Sequence, residues 1–306
     1  MGSVHSISTF DIEGLREGPR YVNPALFPNT VINSPASQIS IRFGIKGLNS
    51  TIGTGFTASL NAIEYAVDML ESGRIQAILV GGVEELCVET FNGFYQLGLL
   101  QSSRASSLES STASVGTMMK TWLGEGAGML LLENEERAIS RGASGYGEIV
   151  GVSSIFEDLS AARLTITETA ASSVIKQVLG LVNITAQDIE RVYSSSGLTS
   201  ADSSGDHEET RALAKIFGPI LENLPRFSVK SLIGECFSTM GILELIAALD
   251  ARTNKKNAAT LLINTFSPIG LYASVVVRSH PLKSYVKECT SERKFAGFVS
   301  PRPFLE

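Results

Sequence analysis

The chain has 306 residues, of which 43% are hydrophobic and 18% are charged, which is typical of a globular protein with one large core or two halves. The formal net charge of −6 argues against nucleic acid as the main partner. No apolar run reaches ~18 residues, and no basic stretch precedes an apolar core at the start, so the sequence predicts neither a membrane span nor a secretory signal.

The predicted elements alternate between strand and helix along most of the chain. In chain order they are helix 60–71, strand 77–80 ending in a glycine pair, strand 129–133, strand 147–153, helix 167–181, strand 189–195, helix 206–217, strand 227–231, helix 238–250, strand 260–265 and strand 273–278. Short β-branched strands that alternate with helices of this length indicate an α/β architecture. Residues 102–114 are rich in serine and predict a surface loop, and residues 281–306 predict a tail on the surface or on a partner.

The stretch 51–59, which reads TIGTGFTAS, is the most informative part of the chain. A strand, a tight glycine turn and a helix start usually present a nucleophile at the turn, where the helix N-terminus favours a developing anion. Phe56 stands at that position, and a phenyl ring is neither a nucleophile nor an acid. The sequence therefore predicts an enzyme scaffold whose chemistry has been removed at this turn, which we call the elbow.

Several motifs recur in a fixed order along the chain. They are EGPR at 17–20, the elbow, GGVE at 81–84, GEGAGMLLLE at 124–133, GDHEE at 205–209, KSLIG at 230–234 and NTF at 264–266. In their order and spacing they resemble the β-ketoacyl-acyl carrier protein synthases, or ketosynthases, of the thiolase superfamily. The resemblance runs from about Gly2 to Arg278.

The resemblance implies a thiolase-like fold with αβαβα layers and two pseudo-repeated βα halves. Residues 1–135 would form the N-terminal half with the elbow, residues 136–280 the C-terminal half, and residues 281–306 the tail. A full ketosynthase begins well before this chain does, so the N-terminal half is expected to be truncated and to lack its first, central strand. Either the chain is a fragment, or another polypeptide or a rearranged segment fills the gap.

The family's chemistry needs a cysteine at the elbow and two histidines. The matching positions of this chain hold Phe56, Ser196 and Glu235. A carboxylate at a position that should stabilise negative charge repels an enolate, so the chain is predicted not to be an enzyme on its own. The alternative is a drifted but active enzyme. Scaffold positions that support the site and the subunit packing in the family are retained as Lys230, Asp206 and Glu209.

Within the family, the chain length factors of type II polyketide systems combine a disabled elbow with a retained fold. The resemblance therefore implies a catalytically silent, cytoplasmic subunit that pairs with an active ketosynthase and helps to set polyketide or polyene chain length on acyl carrier protein. No metal or cofactor is expected, and no nucleic acid or membrane partner. The candidates for the tunnel lining are Val4, Ile7, Phe10, Asp11, Phe27 and Thr30.

Two other functions remain open at this point. One is a structural or regulatory ketosynthase-like pseudoenzyme that binds acyl carrier protein or a partner, and the other is a decarboxylating ketosynthase that primes chains. The heterodimer hypothesis adds a structural expectation. Residues 49–54 should form an edge strand that joins the sheet of the partner.

Overall fold

The computed structural model describes residues 3–97, 100, 122–143, 145–158, 166–195, 208–250, 258–280 and 297–299. The described α-helices are α1 Val4–Glu17, α2 Ser34–Phe43, α3 Ala58–Glu71, α4 Val88–Gln96, α5 Glu135–Ser140, α6 Glu168–Leu181, α7 Glu208–Phe217, α8 Lys230–Ile233 and α9 Met240–Asp250. The described strands are β1 Ala77–Glu84, β2 Gly126–Asn134, β3 Gly147–Phe156, β4 Arg191–Tyr193, β5 Arg226–Phe227, β6 Ala259–Phe266, β7 Leu271–Ser279 and β8 Gly297–Val299.

These strands form one mixed sheet in the order β1-β2-β8-β3-β7-β6-β4-β5. Strand β4 pairs in parallel with both β5 and β6, and the other neighbours pair antiparallel. Strands β6 and β7 are joined by a tight hairpin at residues 267–270. Its last residue, Gly270, has φ 87°, and an added Cβ there would lie 2.3 Å from the carbonyl oxygen of Glu157.

Helices cover both faces of the sheet. Helices α6 and α7 pack on one face around Val174, Ile175 and Leu213. Helices α3 and α9 pack on the other, with Leu60 and Leu245 in their shared core. This arrangement confirms the layered α/β class.

Helix α3 contacts several strands of the sheet. It contacts β1, at one end of the sheet, and β7, four strands further along. It also contacts α9, and the elbow, which precedes α3, contacts the 3-10 turn Phe237–Thr239, which precedes α9.

Most predicted elements from residue 60 onward are confirmed, with shifted ends. The glycine pair Gly81 and Gly82 does not end a strand, because both lie inside β1, where an added Cβ would meet the Gly128 carbonyl oxygen at 2.8 Å and the Thr239 hydroxyl at 2.9 Å. Glycine is needed there for close packing.

Two predicted strands are wrong. Residues 49–54 form no strand within the described chain, and most of them are exposed. Strand 227–231 is reduced to the two residues of β5, and α8 begins at Lys230. Residues 49–54 have no pairing partner within the described chain, and β5 pairs with β4 over two residues before α8 begins.

The end regions were not predicted in detail. The described part of residues 3–43 is mostly helical. Three residues of the predicted tail form β8 between β2 and β3, so this part of the tail belongs to the sheet. The serine-rich stretch 102–114 lies outside the described residues, and the half boundaries at 135 and 280 stay predictions.

Candidate functional site

Phe56 lies in a single 3-10 turn, Gly55–Thr57, directly before α3. Gly55 has φ 68°, a left-handed conformation that glycine adopts freely. The hydroxyls of Thr54 and Thr57 donate to Oδ1 of Asn61 on α3, at 2.7 and 2.9 Å. These hydrogen bonds fix the elbow to its helix.

Glu235 follows α8 and is held by backbone hydrogen bonds on both sides. Its N–H donates to the Trp122 carbonyl at 2.7 Å, and its own carbonyl accepts from Gly124 N–H at 2.9 Å. An added Cβ on Gly124 would lie 2.1 Å from the carbonyl oxygen of Ile233. Within the glycine run at 124–128, position 124 can therefore be filled only by glycine, because its backbone lies directly beside that of residues 233–235.

The Glu235 carboxylate is buried, with 5% of the residue exposed, and its charge is compensated. Its Oε2 lies 2.5 Å from Lys230 Nζ, and its Oε1 accepts the Phe237 N–H at 2.8 Å. A buried carboxylate requires such partners, because desolvation of an unpaired charge is strongly unfavourable. Lys230 and Glu235, both predicted site residues, therefore act as one ion pair.

Aromatic rings join the elbow to the Glu235 segment. The Phe56 and Phe237 ring centroids are 5.4 Å apart in an edge-to-face arrangement, and the Phe237 and Phe94 centroids are 5.2 Å apart. All three residues are half-buried. We call Phe56, Phe237 and Phe94 the ring row; Phe237 and Phe94 were not singled out in the sequence, where aromatic residues in apolar stretches carry no distinguishing signal.

Cys236 is the cysteine next to Glu235 and is fully buried. Burial, followed by the nearby Glu235 and Glu84 carboxylates, raises the pKa of its thiol to about 11. The thiol is therefore protonated at neutral pH and is a poor nucleophile.

The retained scaffold residue Glu209 lies on α7 and is 1% exposed. Its Oε1 accepts from Ser195 N–H at 3.1 Å and from Asn264 Nδ2 at 3.2 Å. Glu209 thus fixes the backbone directly before position 196. Ser196 and Asp206 themselves lie outside the described residues.

Glu244 on α9 is a residue that sequence reasoning missed. It is 2% exposed, and its Oε1 accepts from Val229 N–H at 2.8 Å and from the Ser228 hydroxyl at 3.0 Å. Its Oε2 has no hydrogen-bond partner among the described residues. Burial raises its pKa to about 7, and the Lys230 charge opposes that shift. The signal in the sequence that could have identified Glu244 is that it is a single carboxylate within the apolar run of α9.

The predicted tunnel residues lie on α1 and on the 3-10 helix Pro24–Asn29, with Thr30 directly after that helix, and the two helices contact each other. The Phe10 and Phe27 ring centroids are 6.1 Å apart. Helix α1 also contacts α4, which carries Phe94 of the ring row. By burial the predicted residues fall into a half-buried set and an exposed set: Val4, Ile7, Phe10 and Thr30 are half-buried, and Asp11 and Phe27 are exposed.

Two negative findings apply to the described part of the chain. Within the ranges given above, no three His, Cys, Asp or Glu side chains are grouped so that they could hold a metal ion. No described helix has both the length and the apolar character needed to cross a membrane.

Comparison with known families accounts for most of the chain. Residues 1–138 match the family described as Beta-ketoacyl synthase, N-terminal domain, and residues 146–263 match Beta-ketoacyl synthase, C-terminal domain. The two matches follow each other in the order expected of one protein.

Curated relatives support the same assignment. The chain is 27% identical over 241 residues to 3-oxoacyl-[acyl-carrier-protein] synthase 2 of Rhizobium meliloti (strain 1021), covering 78% of this chain and 56% of the relative. It is 26% identical over 255 residues to the protein of the same name from Vibrio cholerae serotype O1, covering 80% of this chain and 59% of the relative. The chain thus spans less than two thirds of the length of either relative.

Solved structures show the same fold. One is a type II PKS acyl-carrier protein in complex with its ketosynthase bound to the hexaketide, with a TM-score of 0.76, 20% identity, and coverage of 90% of this chain and 76% of that chain. Another is the ishigamide ketosynthase/chain length factor, with a TM-score of 0.71, 21% identity, and coverage of 92% and 71%. These similarities confirm the predicted thiolase-like fold.

The relatives also correct one prediction. The chain was predicted not to be an enzyme on its own, from the loss of the elbow cysteine and the histidines. The curated relatives carry the name of an enzyme, 3-oxoacyl-[acyl-carrier-protein] synthase 2, and both matched domains are those of a synthase. These names contradict that prediction. It gave three altered positions more weight than the similarity along the rest of the chain.

Proposed function

The chain belongs to the β-ketoacyl synthase family, and from this premise we propose that it is a subunit of a β-ketoacyl synthase enzyme. It pairs with a second, cysteine-bearing ketosynthase subunit. Together they extend a chain carried by acyl carrier protein, and this subunit helps to set the length of the polyketide or polyene product.

The observation that supports this role is the retained geometry of the elbow around Phe56. The turn still has the left-handed glycine and the hydrogen bonds to α3, but a phenyl ring points to the Glu235 segment where the family has a thiol. A rigid apolar ring cannot hold an acyl thioester, whereas it can limit the space beside one. In the proposed pair, the thioester therefore forms on the cysteine of the second subunit.

A second observation supports pairing. Residues 46–53 form no backbone hydrogen bond with any other described residue, and residues 45–51 are exposed. Close by in sequence, Ile41 and Phe43 are 74% and 55% exposed. Backbone without hydrogen-bond partners in the described chain, beside exposed apolar side chains, is the kind of surface that a strand-mediated or obligate interface covers.

The proposal is tested by co-expressing the chain with an active ketosynthase and its acyl carrier protein. We expect the two subunits to co-purify, and intact mass after incubation with an acyl-carrier thioester to show the acyl group on the second subunit. Product mass should then change when the half-buried Phe10 is replaced by Ala, and stay the same for the exposed Leu15→Ala on the same helix. Failure to bind the ketosynthase at micromolar concentration, or an unchanged product in Phe10→Ala, would falsify the proposal.

A further inference from the structure

Phe237 has an unfavourable backbone conformation. Its φ is 42°, and the other non-glycine residue with positive φ in the described ranges is Asn183. The left-handed region is sterically disfavoured for a bulky side chain, and such a residue persists only where its surroundings determine it.

Hydrogen bonds on both sides of Phe237 determine this conformation. Its own N–H donates to Glu235 Oε1 at 2.8 Å, and Glu235 Oε2 is paired with Lys230 at 2.5 Å. The following residue, Ser238, donates from its N–H and its hydroxyl to Glu84 Oε2, at 3.2 and 2.6 Å. Two carboxylates, Glu235 after α8 and Glu84 on β1, therefore fix the peptide groups before and after Phe237.

The conformation places the Phe237 ring at the centre of the ring row. It contacts Phe56 at the elbow and Phe94 on α4, with centroid distances of 5.4 and 5.2 Å. Helix α4 in turn contacts α1, which carries the predicted tunnel residues Val4, Ile7 and Phe10. The ring thus lies between the elbow and α4, the helix that contacts α1.

We propose that Phe237 is a specificity-determining residue whose ring limits how long an acyl chain can lie beside the elbow. Glu235, paired with Lys230, is the positioning residue that holds this ring in place. The inference rests on the proposed function for the identity of the ligand, an acyl chain, and it adds residues to the predicted tunnel lining.

The test measures the binding of S-acyl-pantetheines of increasing chain length to the purified full-length chain. Isothermal titration calorimetry gives the affinity for each thioester. Affinity should rise roughly tenfold for each additional buried two-carbon unit and level off where the ring blocks the chain. Phe237→Gly removes the ring and tolerates the positive φ, so it should move this limit to longer chains by at least one two-carbon unit. Phe91→Ala, on the exposed face of α4, is the control and should leave the limit unchanged.

Substitutions of Glu235 test the positioning role. Glu235→Ala removes the acceptor of the Phe237 N–H and should move the limit in the same direction as Phe237→Gly. Glu235→Gln keeps an acceptor oxygen and should restore the wild-type limit, which a general loss of stability would not do.

The outcomes separate this inference from the proposed function. An unchanged limit in folded Phe237→Gly, or no dependence on chain length in the wild type, overturns the inference; if Phe237→Gly does not fold, Phe237→Leu decides by the same criterion. If the limit moves but the product of the co-expressed pair keeps its length in both Phe237→Gly and Phe10→Ala, the proposed function fails and the role of Phe237 in binding stands.

Discussion

At the scale of single residues, the position of Glu235 depends on Gly124. An added Cβ on Gly124 would lie 2.1 Å from the Ile233 carbonyl oxygen and 2.9 Å from the Cys236 sulfur, so backbone would have to move. We expect Gly124→Ala to lower the free energy of unfolding by about 1–3 kcal/mol, as overpacking does. The measurement is urea unfolding followed by circular dichroism.

Gly93 provides the matched control. It lies inside α4, and an added Cβ there meets nothing within 4 Å. Gly93→Ala should raise the free energy of unfolding by about 0.5–1 kcal/mol, because alanine loses less conformational freedom in a helix. Equal effects of the two substitutions would contradict the close approach at Gly124.

Glu244 predicts how stability depends on pH. Its folded pKa of about 7 exceeds its ordinary value of 4.5, so the folded state binds the proton more tightly than the unfolded state. The contribution of Glu244 to stability is therefore complete below pH 4.5 and is lost as the pH rises toward 7. Over this range of pH, the free energy of unfolding falls by about 3 kcal/mol at most.

Replacement of Glu244 by Gln should remove this dependence. The amide oxygen can still accept from Val229 N–H and the Ser228 hydroxyl, while the buried charge is gone. We expect Glu244→Gln to match the wild type near pH 5 and to exceed it in thermal stability at pH 8. The exposed Glu222→Gln is the control, and an equal stability profile for both variants would count against a buried, proton-binding Glu244.

At the scale of elements, α6 depends on its N-cap residue, Thr167. The Thr167 hydroxyl accepts the Ala170 N–H at 3.2 Å and donates to Glu157 Oε2 at 2.7 Å, so it caps the helix and ties it to the end of β3. Thr167→Ala should lower the free energy of unfolding by about 1–2 kcal/mol. Thr169→Ala, two residues further and exposed, should change it by less than about 0.5 kcal/mol. Chemical denaturation of both variants measures the difference.

At the scale of the whole molecule, the surface around residues 41–53 is the one expected to meet the second subunit. Ile41→Asp places a charge on an exposed apolar position of α2 and should leave the fold intact while it weakens pairing about tenfold or more, as the loss of an interface anchor does. Leu181→Asp, equally apolar and 64% exposed at the end of α6, is the control and should pair like the wild type. Light scattering of mixtures with the ketosynthase gives both results, and equal pairing of the two variants would exclude this surface.

The sequence by itself determined the class of the fold and the order of most elements. Helices such as α3, α6 and α9 and strands such as β6 and β7 were predictable, because their apolar patterns extend over many residues and reflect burial along one continuous segment. The elbow at Phe56 and the motif that ends in Glu235 were also found in the sequence, because each is a local pattern of glycine and polar residues.

Only the tertiary structure decided which distant residues meet. The ring row brings together Phe56, Phe94 and Phe237, which are far apart in the chain, and Glu244 on α9 accepts from Ser228 and Val229, which precede α8. For the same reason the strand predicted at 49–54 did not form. A strand needs a neighbouring strand to complete its backbone hydrogen bonds. The local sequence sets the propensity for a strand, but it does not determine whether such a neighbour is present.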